Sequence, residues 1–147
     1  MNINVKYRLL QKIGEGGFGS VYKAYCFATC DYRAIKVIQY RNYSAFHKQS
    51  ILNEISMLLK VDHPNIIKVY EVIQYQSYYY IVMEYCDGGS LSHFIKNHPI
   101  KDRELFARII MHKILSAVSY LHSKNIMHRD IKLENIVVRN EIIDNKL

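Results

Sequence analysis

No stretch of this 147-residue chain approaches the roughly 18 consecutive apolar residues that a membrane-spanning helix needs. Residues 1–12, MNINVKYRLLQK, hold neither the apolar segment nor the small-residue cleavage site of an export signal. We therefore expect an intracellular, cytoplasmic setting and no membrane partner. Cysteine is scarce, at 3 residues, and Cys26 and Cys30 form a lone C-x3-C with no second pair. That excludes a disulfide framework and a zinc site, and leaves three reduced thiols. Internal repeats and low-complexity linkers are absent too. The net charge of +7 is not gathered into a stripe: residues 1–87 hold 10 Lys/Arg against 7 Asp/Glu, and residues 88–147 hold 10 against 6. Without a basic face or tail, nucleic acid is not an expected partner.

What is present is an ordinary globular composition, 50% apolar and 22% charged, long enough for a sizeable core. Its 13 tyrosines, including Tyr78, Tyr79 and Tyr80 in a row, favour strand surfaces. Side chains alternate in Gly19–Ala24 and Ala34–Ile38, which predicts strands. Ile51, Ile55, Leu58 and Leu59 share one face of a helix predicted near 45–60, ended by Asp62-His63-Pro64-Asn65. Two further strands are expected at Ile66–Gln74 and Tyr78–Glu84. Asp87-Gly88-Gly89 then breaks the pattern as a glycine hinge, and Ser90 offers a helix cap. From Asp102, a second cap, a long amphipathic helix should run to about 123 and stop at Asn125. Leu105, Phe106, Ile109, Ile110, Ile114, Val118 and Leu121 form its apolar stripe. The expected class is α+β, a strand-rich part followed by a helical one.

Three clusters carry chemistry. In Gly14-Glu15-Gly16-Gly17-Phe18-Gly19-Ser20-Val21, glycines let backbone N–H groups approach phosphates closely. Unlike a dinucleotide-binding turn, this one leads into a strand, and a plain glycine-rich hairpin is the bland alternative. Lys36 sits among apolar neighbours on the strand face of Ala34, where an ammonium needs an anionic partner. Glu54, by helical spacing from Ile51 and Leu58, faces inward and can supply one; the alternative is a lysine reaching out from a strand edge. In His128-Arg129-Asp130-Ile131-Lys132-Leu133-Glu134-Asn135, Asp130 and Asn135 stand five apart and so belong to a loop, not one helix face. Such a loop can hold a carboxylate beside a substrate hydroxyl and an amide oxygen on Mg2+, or be only a solvated charged turn.

Together, in this order, the clusters resemble the signature set of the eukaryotic-type protein kinases. The resemblance implies a kinase fold: an antiparallel-sheet N-lobe with one key helix through residue 86, then the start of a helical C-lobe over 87–147. It implies ATP and Mg2+ as cofactors and a serine/threonine protein substrate. Gly14, Gly16, Gly19 and Val21 would cover the phosphates, and Lys36, held by Glu54, would bind them. Met83 would be the gatekeeper, and Glu84 to Cys86 the hinge that bonds adenine. Val21, Ala34 and Val137 would sandwich the ring. Asp130 would be the catalytic aspartate, Lys132 the lysine near the transferred phosphate, and Asn135 a metal ligand. Leu58, Val69 and His128 would belong to the regulatory spine. Lys132 marks the serine/threonine type, and the wording of Lys132–Asn135 is similar to the calmodulin-dependent and AMP-activated group.

The sequence departs from that family at its end. No Asp-Phe-Gly motif, activation loop or Ala-Pro-Glu segment follows Asn135. We therefore expect a partial kinase domain with little activity alone, its long helix partly bare. The competing expectation is a non-catalytic nucleotide-binding or scaffolding module of pseudokinase type.

Overall fold

Strand-forming alternation in the first half of the chain builds one five-stranded antiparallel sheet in the order β1-β2-β3-β5-β4. Its strands are β1 (Tyr7–Gly16), β2 (Gly19–Cys26), β3 (Asp31–Gln39), β4 (Val69–Tyr75) and β5 (Tyr78–Glu84). The computed structural model describes residues 2–16, 19–41 and 44–140, and the side chains of Ala45 and Glu54 also lie outside it. The predicted strands at 19–24, 34–38 and 78–84 are present; the one expected from Ile66 begins later, at Val69. β1 was not predicted. Register shifts between Leu9 and Lys12 and again between Lys12 and Gly14 break its alternation, so no period of two is visible there.

Directly paired residues of antiparallel strands point to the same face, so the register sorts the sheet into two surfaces. On one, Tyr7, Ala24, Cys26, Ile35, Ile73 and Val82 are buried together with Ile3 from the short 3-10 turn Ile3–Val5. Burying an Ile or Val side chain such as Ile35 or Val82, each fully covered, contributes about 1.5–3 kcal/mol. On the other, Ile38, Tyr79 and Ile81 pack beneath Ile55 and Ile51 of helix α1 (Ala45–Leu58). Ser44 caps that helix, its Oγ accepting from the His47 N–H at 3.3 Å. The expected four-residue stripe on α1 is only half present: Ile55 is buried and Ile51 half-buried, but Leu58 and Leu59 are 36% and 44% exposed. They sit where the helix ends, beyond the part that lies on the sheet.

β1 and β4 are the two edges of the sheet, yet they meet. The Tyr7 hydroxyl donates to Glu71 Oε1 at 2.6 Å and Lys6 Nζ donates to Glu71 Oε2 at 2.8 Å, so the sheet curls until its rims touch. Burial, then the bond to Glu71, pushes the Tyr7 phenol well above its usual range. Burial acts to raise Glu71, but the bonds from Lys6 and Tyr7 outweigh it and hold the carboxyl below its ordinary value.

The helical part contains α2 (Leu91–Asn97) and α3 (Arg103–Ser123). Both predicted caps are in place. Ser90 Oγ accepts from the His93 N–H, and Asp102 Oδ1 accepts from the Leu105 N–H at 2.9 Å. Asn125 takes the left-handed conformation, φ 57°, that stops α3. α2 is too short to show a helical period, and only its cap was legible. Leu91, Phe94, Phe106 and Val138 form the core here. Of the α3 stripe, expected to be partly bare, Phe106 and Leu121 are buried, and Ile109, Ile110, Ile114 and Val118 half-buried. Leu105 is the one member well exposed, at 45%.

The expected glycine hinge is a pinned turn. Gly88 N–H donates to Val138 O, Val138 N–H to Gly89 O, and Asn140 N–H to Asp87 Oδ1 at 3.0 Å. A Cβ on Gly88 would meet Val138 O and Asn140 Oδ1 at 2.8 Å, so glycine is required there for close approach of the two backbones.

Two compact units result: Met1–Asp62 with Ile67–Tyr85, and His63–Ile66 with Cys86–Leu147. The segment His63–Ile66 thus belongs with the helices. His63 Nδ1 accepts from the Asn65 N–H, which puts the proton on Nε2, 3.1 Å from Ser116 Oγ. Its ring also lies against Tyr120, centroids 5.1 Å apart.

Candidate active site

Within the first unit, the face that carries α1 continues past the helix as a half-buried strip. Val21, Lys36 and Ile81 pair in one row across β2, β3 and β5, and Lys23, Ala34 and Met83 in the next. The sheet thereby brings Val21, Ala34, Lys36 and Met83 onto one face. Val69 pairs with Met83 and packs in the same cluster, whereas Leu58, assigned with it to the spine, is exposed. The expected partnership of Lys36 with Glu54 lies outside the described residues. Glu54 falls within α1.

Gly14 and Gly16 lie on β1 and Gly19 on β2, and Gly16 pairs with Gly19, so the glycine-rich hairpin that was the bland alternative is present. The three glycines differ in why they are glycine. Gly19 has φ +145° and an added Cβ would clash with Val37 O, so the fold itself demands it. A Cβ on Gly14 would meet only Val21 at 3.6 Å, an ordinary contact, and on Gly16 it would meet nothing within 4 Å. Packing among the described residues does not explain those two.

Glu84 ends β5: its N–H donates to Lys68 O at 2.9 Å, and its Oε2 accepts from the Lys68 N–H at 3.3 Å. Cys86 begins the second unit, and burial followed by the charge of Asp87 pushes its thiol up, so it stays a neutral thiol. Val137 lies in the second unit, bridged to Ser90 in an isolated antiparallel pair and 40% exposed.

The loop 128–135 is exposed and built by local bonds. Lys132 Nζ lies 2.9 Å from Asp130 Oδ2, and Asn135 Nδ2 donates to the same oxygen at 2.7 Å and to Asp130 O at 2.9 Å. These bonds, Lys132 first and Asn135 second, hold the Asp130 carboxyl below the usual carboxylate range. Both partners use Oδ2, which leaves Oδ1 open. Because Asn135 faces two acceptors, its amide must present nitrogen to Asp130 and turn its Oδ1 away. The sequence did not signal two further supports. His128 Nδ1 accepts from the Asp130 N–H at 3.3 Å, and Arg129 adopts φ 65°, rare for a non-glycine residue. Among the described residues, no group of three or more His, Cys, Asp or Glu side chains is placed to hold a metal ion. Likewise no helix among them is long and apolar enough to cross a membrane.

Comparison with known proteins identifies the family. Residues 7–146 match the family model described as protein kinase domain. The chain is 42% identical over 127 residues to calcium-dependent protein kinase 5 of Plasmodium falciparum, covering 86% of this chain and 22% of that protein. It is 35% identical over 133 residues to a calcium/calmodulin-dependent protein kinase type II of Schizosaccharomyces pombe, with 90% and 26% covered. It is 38% identical over 143 residues to the serine/threonine-protein kinase srk1 of the same yeast, with 90% and 24% covered. The chain spans about a quarter of the length of these curated relatives.

Proposed function

Because this chain belongs to the protein kinase family, we propose that it serves ATP-dependent transfer of a γ-phosphate to serine or threonine hydroxyls of a protein substrate. The observation that carries the proposal is the loop: one Asp130 oxygen held by Lys132 and Asn135, the other open to accept a hydroxyl hydrogen. A carboxylate with a depressed pKa is a weak base, so Asp130 orients the hydroxyl and fixes its direction of attack more than it removes the proton. Lys132, beside it, would neutralise charge on the group in flight.

The residues present fit the nucleotide. Gly14 and Gly16 leave space that a Cβ would otherwise enter, which suits phosphates lying against backbone N–H groups. Lys36 would hold the α- and β-phosphates, with Glu54 as its partner. Val21, Ala34 and Val137 would enclose adenine between apolar surfaces beside Met83, and the backbone of Glu84 to Cys86 would bond its edge. Mg2+, when bound, neutralises phosphate charge, and the outward Asn135 Oδ1 would be its protein ligand. We place the domain parts at 1–86, N-lobe and hinge, and 87–147, the start of the C-lobe. The proposed setting is cytoplasmic, in keeping with three free cysteines.

For the 147-residue chain by itself we propose nucleotide binding with little turnover, since Asn135 is the one metal ligand the resemblance assigns within it. Titration with Mg·ATP should raise the melting temperature of the chain, and Lys36→Met should lose most of that rise while folding normally. No rise up to about 10 mM ATP, or an undiminished rise in Lys36→Met, would sink the assignment. Transfer of labelled phosphate to protein by the purified chain would overturn the expectation of low turnover.

A further inference from the structure

Lys23 is a cation that the proposed site does not use, on the sheet face that the site occupies. It pairs with Ala34, which pairs with Met83, so all three point to that face. An ammonium left standing in this row would oppose an apolar ring lying on Ala34. Instead it is drawn aside, 4.0 Å from the Tyr32 ring centroid and 4.8 Å from that of Tyr85. Tyr32 belongs to the next row, paired with Tyr25, and meets Tyr85 edge to face, 6.3 Å apart at 61°, with Tyr25 continuing the series against Tyr32 at 5.8 Å. None of the ion pairs among the described residues involves Lys23, so the rings are its binding partners.

The position of Tyr85 gives this contact a consequence. The β3–β5 ladder ends at the pair Arg33–Glu84, and Tyr85 is the first residue beyond it. No strand pairing fixes the backbone of Tyr85 and Cys86. The ring of Tyr85, gripped by Lys23 and Tyr32, does so from the side. Lys23 lies on β2, four residues after Gly19, so the same side chain ties that segment to the strand leaving the glycine hairpin.

We propose that Lys23 is a positioning residue for nucleotide binding. Its ammonium, clamped between Tyr32 and Tyr85, holds the Glu84–Cys86 backbone in the conformation that receives adenine and keeps the Ala34–Met83 row apolar. This deepens the nucleotide site proposed above and rests on it. The clamp touches no phosphate, so its effect is the same for any ligand that contains adenine.

Calorimetric titration of the 147-residue chain with adenosine, ADP and Mg·ATP tests this. Lys23→Met should weaken all three by the same factor, about three- to ten-fold for two lost cation–π contacts. Lys23→Arg, which also stacks on aromatic faces, should restore affinity to within about two-fold. Tyr85→Leu should match Lys23→Met, and the double variant should be no worse than either single one. Unchanged affinity in Lys23→Met would overturn the clamp. A loss confined to ADP and Mg·ATP would overturn it differently, making Lys23 a phosphate ligand. If the unaltered chain bound none of the three ligands, the nucleotide site itself would fall.

Discussion

The sheet face and the loop 128–135 hold their side chains in place by opposite means. On the sheet, Val21, Ala34, Lys36 and Met83 come from three strands and are aligned by register, over a core that includes the buried Ile38, Tyr79 and Ile81. In the loop, Asp130, Lys132 and Asn135 lie within six consecutive residues, are exposed, and are held by bonds to one another. The first arrangement is stable but depends on the whole fold. The second depends on three short contacts and has almost no burial behind it. Substitutions of buried sheet residues such as Ala34 should therefore disturb stability and function together, and those in the loop function alone.

The sharpest test lies inside the glycine hairpin. Gly19→Ala should cost roughly 2–4 kcal/mol by urea unfolding, because it meets both a positive φ and the Val37 carbonyl. Gly16→Ala should change stability by less than about 0.5 kcal/mol, yet weaken ATP binding. Equal stability losses would erase the distinction between a glycine required by the fold and one reserved for a ligand.

Next in size is the bond across the sheet rims. Tyr7→Phe should destabilise by about 1–2 kcal/mol, as expected for a part-buried hydroxyl bonded to a carboxylate. Because the folded state holds Glu71 below its ordinary 4.5, its contribution is present above that pH and is lost as pH falls through the depressed value. Stability measured from pH 6 down to pH 3 should thus fall less steeply in Glu71→Gln than in the unaltered chain. Identical slopes would mean that the rim bond is not made in solution.

The smallest effect on stability belongs to the loop. Lys132→Met and Asn135→Ala should each shift unfolding by less than about 0.5 kcal/mol. By NMR titration, both should let the Asp130 carboxyl rise toward the ordinary range, Lys132→Met more so, since its bond is the larger cause. An Asp130 titration unmoved in both variants would mean that the three residues do not hold one another.

Legibility in the sequence followed the same division. The loop, the caps Ser90 and Asp102 and the stop at Asn125 were readable because each is a local device, complete within a few residues. The strands β2 and β3 were readable from alternation, and β4 and β5 were expected at 66–74 and 78–84. β1 was hidden by its register shifts, and α2 by its seven-residue length. Which members of the α3 stripe are covered was not legible, because burial there comes from elements far along the chain, such as Val138 with Phe106 and His63 with Ser116. The Lys23 clamp needs the register of three strands before it exists at all, so no spacing in the sequence announces it.

The contact between Tyr7, Lys6 and Glu71 also bears on behaviour in concentrated solution. A flat five-stranded sheet would offer two unpaired rims, each a template on which another copy could add a strand and start an aggregate. Here the rims are drawn together and carry a buried phenol with a lysine–glutamate pair, so an incoming strand would first have to displace a 2.6 Å hydrogen bond.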